Sequence, residues 1–145
     1  MKTFRFLVLL SNLLLLTACE YHGYSYRFSN NSTVDVYMYF EYGVDFLYPD
    51  TAISNTSKCY FLKQGKRFTY FYGYEYVFDR KDTISMFIFD SDTFNMYSWE
   101  EIRNGYKILQ RYDLSDEDFK ALRHSISYPP TEAMKDVKMY PPYEQ

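Results

Sequence analysis

Thr33-Val34-Asp35-Val36-Tyr37-Met38-Tyr39-Phe40-Glu41-Tyr42 is the longest stretch of the chain in which apolar and polar side chains alternate. Successive side chains of a strand point to opposite faces. The spacing therefore predicts a strand with Val34, Val36, Met38 and Phe40 towards a core, and Asp35, Tyr37, Tyr39 and Glu41 on the other face. A helix would instead repeat its apolar positions every three or four residues. A strand of this kind needs partners, and the chain offers them on both sides.

Upstream, Tyr24, Tyr26 and Phe28 alternate with Ser25, Arg27 and Ser29, and Asn30-Asn31-Ser32 is a turn signal. Downstream, residues 43–55 contain Tyr48-Pro49-Asp50-Thr51 and read as a loop. Residues 58–63 and 67–72 flank Gln64-Gly65-Lys66, which predicts a hairpin with Cys59 in its first strand. Residues 73–81 fit either a strand or a helical turn. Residues 83–89 (Thr-Ile-Ser-Met-Phe-Ile-Phe) are almost wholly apolar at their far end, which places them centrally in a sheet. Residues 90–95 are expected to turn the chain.

Two short helices follow. In Ser98-Trp99-Glu100-Glu101, Ser98 caps and Glu101 reaches back to it, a capping box opening a helix that Gly105 closes. After an expected strand over residues 106–112, Ser115 caps a second helix with Asp116, Glu117 and Asp118 in its first turn and Phe119 and Leu122 on its inward face. Residues 125–128 predict a last short strand. Every proline but Pro49 lies in Pro129-Pro130 or Pro141-Pro142. These pairs frame residues 131–140, where one helical turn and then an extended segment are expected.

Composition agrees with sheet. The chain holds 18 Tyr and 13 Phe, and aromatic rings favour the half-buried positions of strands. The predicted fold is mainly β, an antiparallel β-sandwich-like domain with two short helices, with α+β as the alternative. The domain spans residues 24–128, and the Pro-rich residues 129–145 pack on it or trail from it.

The N-terminus carries a different signal. Lys2 and Arg5 precede an apolar run over residues 6–16 that only Ser11 and Asn12 interrupt. This is a secretory signal peptide in its charge and length, and it is shorter than the roughly 20 apolar residues a membrane-spanning helix needs. It ends in Leu16-Thr17-Ala18-Cys19, which resembles the lipobox of bacterial lipoproteins. The resemblance implies removal of residues 1–18, lipidation of Cys19, and a short tether over residues 19–23. Of the 16 Lys+Arg, two lie in the removed segment, and none of the 19 Asp+Glu does, so the formal charge of −3 becomes more negative. An acidic chain lacks the basic stripe that nucleic acids require. With Cys19 lipidated, Cys59 has no intrachain partner for a disulfide.

Residues 82–90 and 97–103, the run from Tyr106 to Ser115, and Met139-Tyr140-Pro141-Pro142-Tyr143 resemble segments of small uncharacterised lipoproteins of Bacteroidota. That likeness implies a Gram-negative envelope, and the outer membrane over the inner. Glu20-Tyr21-His22-Gly23 lacks the acidic run that resembles a surface-export signal in that phylum, which favours the periplasmic face.

Catalytic chemistry finds little footing. His22, His124 and Cys59 have no paired metal-ligand spacing. Cys59 sits among Tyr, Phe and Leu as a core thiol would, and His124 suits a helix C-terminus. Glu100-Glu101 and Asp116-Glu117-Asp118 resemble a glycosidase pair less than they resemble first-turn acids. Asp90, Asp92 and Asn95 lack the glycine and distal glutamate of a calcium loop. Trp99 reads as a core plug. Tyr37 and Tyr39 are the candidate contact face, unless loop 43–50 covers them. Asp50-Thr51-Ala52 and Asp82-Thr83-Ile84 resemble O-glycosylation acceptors; Thr51 is accessible in its loop, whereas Thr83 starts a buried strand. The expectation is a non-enzymatic envelope lipoprotein without cofactor or metal. It is held to the membrane by lipid on Cys19 and binds a protein or another envelope component. The alternative is a glycan-binding module using surface tyrosines.

Overall fold

The computed structural model describes residues 23–42, 59–73 and 83–144. In chain order the elements begin with β1 (Gly23–Asn30), β2 (Val36–Tyr42), β3 (Tyr60–Leu62), β4 (Arg67–Gly73) and β5 (Ile84–Asp90). Then come α1 (Ser91–Met96), α2 (Trp99–Asn104), β6 (Gln110–Leu114), α3 (Asp116–Ala121) and β7 (Ser125–Tyr128). A 3-10 turn (Glu132–Met134) and β8 (Lys138–Tyr140) complete the described chain.

The fold is a mainly β sandwich. One sheet has the order β4-β1-β7 and the other β3-β2-β5-β6-β8. All described pairings are antiparallel except that of β1 with β7. Tyr26 and Phe28 of β1 and Ile126 of β7 meet Val36, Met38, Phe40, Ile84, Met86, Ile88, Tyr112 and Leu114 of the larger sheet. Tyr26 packs edge-on to Phe40 at 5.3 Å and 60°, and 5.6 Å from Phe119 of α3. The Tyr112 hydroxyl donates across the sandwich to the Ser127 carbonyl at 2.8 Å. Burying side chains of this size contributes about 1.5–3 kcal/mol each, which is why a sandwich forms without any disulfide among the described residues.

The alternation of residues 33–42 has the expected phase at Val36, Met38 and Phe40, all in the core. Val34 is a correction: it is 37% exposed, ahead of the strand. Asn30 Nδ2 donates to the Val34 carbonyl at 2.8 Å and Asn30 Oδ1 accepts from Ser32 N at 3.1 Å, which holds the chain in a turn up to that point.

The hairpin expected around Gln64-Gly65-Lys66 is also corrected. Lys66 N donates to Lys63 O at 3.1 Å and Gly65 takes a positive φ of 67°, so the turn exists. Its two arms, however, belong to different sheets: β3 pairs with β2, and β4 pairs with β1. Turn chemistry is local and identical in both cases, whereas which strands pair is decided by what each arm buries. The turn is an arch closing one side of the sandwich.

Where residues 90–95 are expected to turn the chain, Ser91–Met96 form a helix. Asp90 Oδ1 accepts from Thr93 N at 2.8 Å, an N-cap that opens α1. The fold thus has three short α-helices among the described residues. The capping box of α2 and the Ser115 cap of α3 are formed as expected, with Glu101 N donating to Ser98 Oγ at 3.3 Å and Asp118 N donating to Ser115 Oγ at 3.1 Å; Asp118 also reaches back to Ser115 N, which makes the second cap a capping box too.

The end of α2 differs in detail. Gly105 is not left-handed (φ −88°); it is needed because a Cβ there would lie 2.9 Å from the Glu101 carbonyl oxygen. The left-handed residue is Tyr106 (φ 45°), whose N–H and that of Lys107 return to the carbonyls of Arg103 and Ile102 at 3.2 and 2.9 Å. The strand expected over residues 106–112 therefore begins only at Gln110. After Tyr128 the chain makes its helical turn and then adds β8 to β6, burying Met134, Val137 and Met139.

Candidate contact face

The outer face of the larger sheet is built in cross-strand rows. Register places Tyr37 between Phe61 and Phe89, and Tyr39 beside Phe87. It places Phe87 beside Arg111, Arg111 beside Tyr140, Ser85 beside Asp113 and Asp113 beside Lys138. Strand periodicity sends all of these away from the core between the sheets.

The first row lies under α1 and α2. Phe94 stacks on Tyr37 at 4.5 Å and packs 5.5 Å from Phe89, while Trp99 meets Phe89 edge-on at 5.9 Å and 78°. Ile102 is buried in the same cluster. Trp99 is thus a plug, as its position in a first turn suggests. At the open end of the row Phe61 is 46% exposed, with its ring 5.2 Å from Tyr37.

The two tyrosines expected to share a contact face part company here. Tyr37 is half-buried between Phe61 and Phe94. Tyr39 is only 3% exposed and belongs to the second core cluster with Phe87, Phe89 and Ile102. Its hydroxyl donates to Glu41 Oε2. Burial, then the Glu41 hydrogen bond and charge, hold that phenol above its usual range. Tyr39 as an exposed contact residue is therefore a correction. Side chains of α1 and α2 cover this part of the second face, so alternation here separates two buried surfaces and not an inside from an outside. Loop 43–50, the expected cover, lies outside the described residues.

The other rows carry charge. Arg111 is 1% exposed and Asp113 5%. Asp113 Oδ1 accepts from Arg111 Nε at 2.7 Å and from Ser85 Oγ at 2.8 Å; Oδ2 accepts from Arg111 Nη2 at 3.1 Å, and Lys138 Nζ lies 3.3 Å from it. The Arg111 guanidinium lies over the Phe87 ring at 5.4 Å and the Tyr140 ring at 5.7 Å. Both Asp113 oxygens are committed to these donors, so the group is a structural hub. A bidentate Arg–carboxylate pair with further donors satisfied is what keeps such charges tolerable away from water. Gln110-Arg111-Tyr112-Asp113-Leu114 gives no sequence sign of this, because the same alternation describes a strand with one wet face.

Cys19 and Thr51 lie outside the described residues, as does His22. Thr83 is half-buried just ahead of β5. The acids of both expected helices sit in first turns, and hydrogen bonds from Ser98 hold Glu101 below the usual carboxylate range. Asp90 is spent as a cap and Asp92 sits in the first turn of α1, so they form no calcium loop. The Cys59 thiol is half-buried beside the Tyr39 cluster, and burial pushes it up to about 11, so it is protonated at neutral pH. The His124 ring stacks on Phe119 at 6.5 Å. Among the described residues no group of three or more His, Cys, Asp or Glu could hold a metal ion, and no helix is long and apolar enough to cross a membrane.

Two exposed aromatics escaped the sequence reading. Phe61 is one; its position between Tyr60 and Leu62, both packed on the core between the sheets, was the available signal. Tyr97 is the other, 37% exposed with Lys107 Nζ over its ring at 4.2 Å. Comparison with known proteins finds no matching family model, no similar curated protein and no similar solved structure.

Proposed function

We propose that this chain is a non-enzymatic, lipid-anchored protein of the bacterial cell envelope that binds a partner protein through the Phe61–Tyr37 edge of its larger sheet. The observation that carries the binding reading is the exposed Phe61 ring, packed at a tilt against a half-buried Tyr37 on which Phe94 in turn stacks. Rings held in this way give contact area at little entropic cost, and such aromatic anchors concentrate binding energy at interfaces. The anchor rests on Leu16-Thr17-Ala18-Cys19 and the signal ahead of it. Each buried methylene of an acyl chain contributes about 0.8 kcal/mol of membrane affinity, so two or three chains hold stably where one does not. The short tether keeps the domain near the bilayer, and the sequence features favour the periplasmic face of the outer membrane. The glycan reading relied on Tyr37 and Tyr39 together, and burial of Tyr39 takes away half of that platform.

The anchor is tested by Cys19→Ser. The wild type should incorporate radiolabelled palmitate and pellet with membranes, and the variant should do neither. A variant that still takes up label would overturn the anchor. The contact edge is tested by Phe61→Ala, which should leave the unfolding midpoint within about 0.5 kcal/mol of wild type, as for an exposed substitution. A loss of several kcal/mol would make Phe61 a core residue and not a contact.

A further inference from the structure

We infer that the partner presents an acidic, extended segment, which adds as a strand to the side of β3 away from β2 and sets its carboxylates against Lys63 and Lys66. This deepens the protein-binding reading above and rests on it. Among the described residues β3 is the edge strand of its sheet, with β2 on one side only. An edge strand presents a row of backbone donors and acceptors, and extended peptides are recognised by joining such rows.

Three observations converge on this edge. Phe61, in the middle of β3, points out of the sandwich and is 46% exposed, which provides an apolar seat for one side chain of the added strand. Lys63, Gln64, Lys66 and Arg67 follow immediately and are all exposed. None of the described ion pairs uses these three cations. The Asp35 carboxylate accepts from the Gln64 backbone N–H at 2.8 Å and stands as one acid beside these three cations. On a chain of net charge −3, three cations within five residues are a local reversal of sign, and complementary charge sets both register and encounter rate.

The arch stands at one end of β1. Asn30, the last residue of β1, exchanges backbone hydrogen bonds with Gly65 and Lys66 at 2.8 and 3.0 Å. The first residue of β1 is Gly23, on the side that leads to Cys19. The length of β1, about 3.3 Å for each of its eight residues, separates the arch from the anchored end.

The test is site-specific photo-crosslinking of the full-length lipidated protein in its native envelope, with the photoreactive residue at Phe61, at Met96 or at Thr69. The result expected is an adduct from Phe61 to a segment of another protein rich in Asp and Glu, mapped by mass spectrometry. Lys63→Glu with Lys66→Glu should lower its yield about tenfold, as two exposed charge contacts turned repulsive would. Lys63→Gln with Lys66→Gln should give a smaller loss, which guards against a charge reversal that merely disturbs folding. An adduct to a segment without carboxylates, an adduct to a second copy of this chain, or a yield that both double variants leave unchanged would overturn the inference while leaving protein binding in place. No protein adduct from any of the three positions would overturn both.

Discussion

Asn30 is wholly buried where the chain passes between the sheets. Its Nδ2 donates to the carbonyls of Val34 at 2.8 Å and Leu62 at 3.2 Å, and its Oδ1 accepts from the backbone and hydroxyl of Ser32 at 3.1 and 2.6 Å. One side chain thus ties the turn after β1 to the strand that precedes the arch. A buried group left without its partner costs about 1–3 kcal/mol. Asn30→Ala, which strands more than one, should lose about 3 kcal/mol in chemical denaturation. A loss below about 1 kcal/mol would mean that the amide does not join these segments. The sequence marks Asn30 only as a turn residue, because nothing local reveals that a carbonyl 32 residues away completes its bonding.

The helices are short, so their ends matter more than their interiors. Ser98→Ala removes one side of the α2 capping box and should cost about 1 kcal/mol. The effect should also depend on pH. Hydrogen bonds from Ser98 lower the Glu101 pKa in the folded protein. Its contribution is therefore present above the ordinary carboxylate pKa and is lost as pH falls through the folded value. The gap between wild type and Ser98→Ala should accordingly narrow on acidification below about pH 4, leaving the part due to the Glu101 N–H bond to Ser98 Oγ; a gap that stays constant would show that the Glu101 carboxylate has no part in the cap. At the end of α3, Arg123 sits at φ 49° with an exposed side chain. A left-handed residue with a Cβ costs about 1–2 kcal/mol, and glycine loses about 0.5–1 kcal/mol more backbone entropy on folding. Arg123→Gly should therefore stabilise by about 0.5–1 kcal/mol, read as a raised thermal midpoint. A lowered midpoint would show that the Arg123 side chain holds the helix end in a way its exposure does not suggest.

At the scale of the whole molecule, the last strand closes the larger sheet. β8 pairs with β6, the segment leading to it buries Met134 and Val137, and Gln110 Nε2 donates to the Pro141 carbonyl at 2.6 Å. Truncation after Pro130 should remove the cooperative unfolding transition, as loss of several buried side chains and a sheet partner requires. A truncated chain that still unfolds cooperatively would make residues 131–145 an appendage. Much of this architecture is written locally. Period-two alternation set the phase of β1 and β2, an almost unbroken apolar run marked β5 as central, and Ser98 and Ser115 announced their helices, because each of these depends on contacts within a few residues. What surrounds a strand is not local. Tyr39 is buried because side chains of α1 and α2 cover that part of its sheet's second face, Arg111 and Asp113 are buried together on the same face, and Phe61 is exposed where β3 ends its row among the described strands. The arch at Gly65 looks like any two-armed turn, and only the burial of each arm against a different sheet parts β3 from β4. Alternation, caps and turns were decided by the sequence itself, since backbone geometry reads its nearest neighbours. Which face met water and which strands paired were decided by the tertiary structure, since burial is a property of the assembled layers.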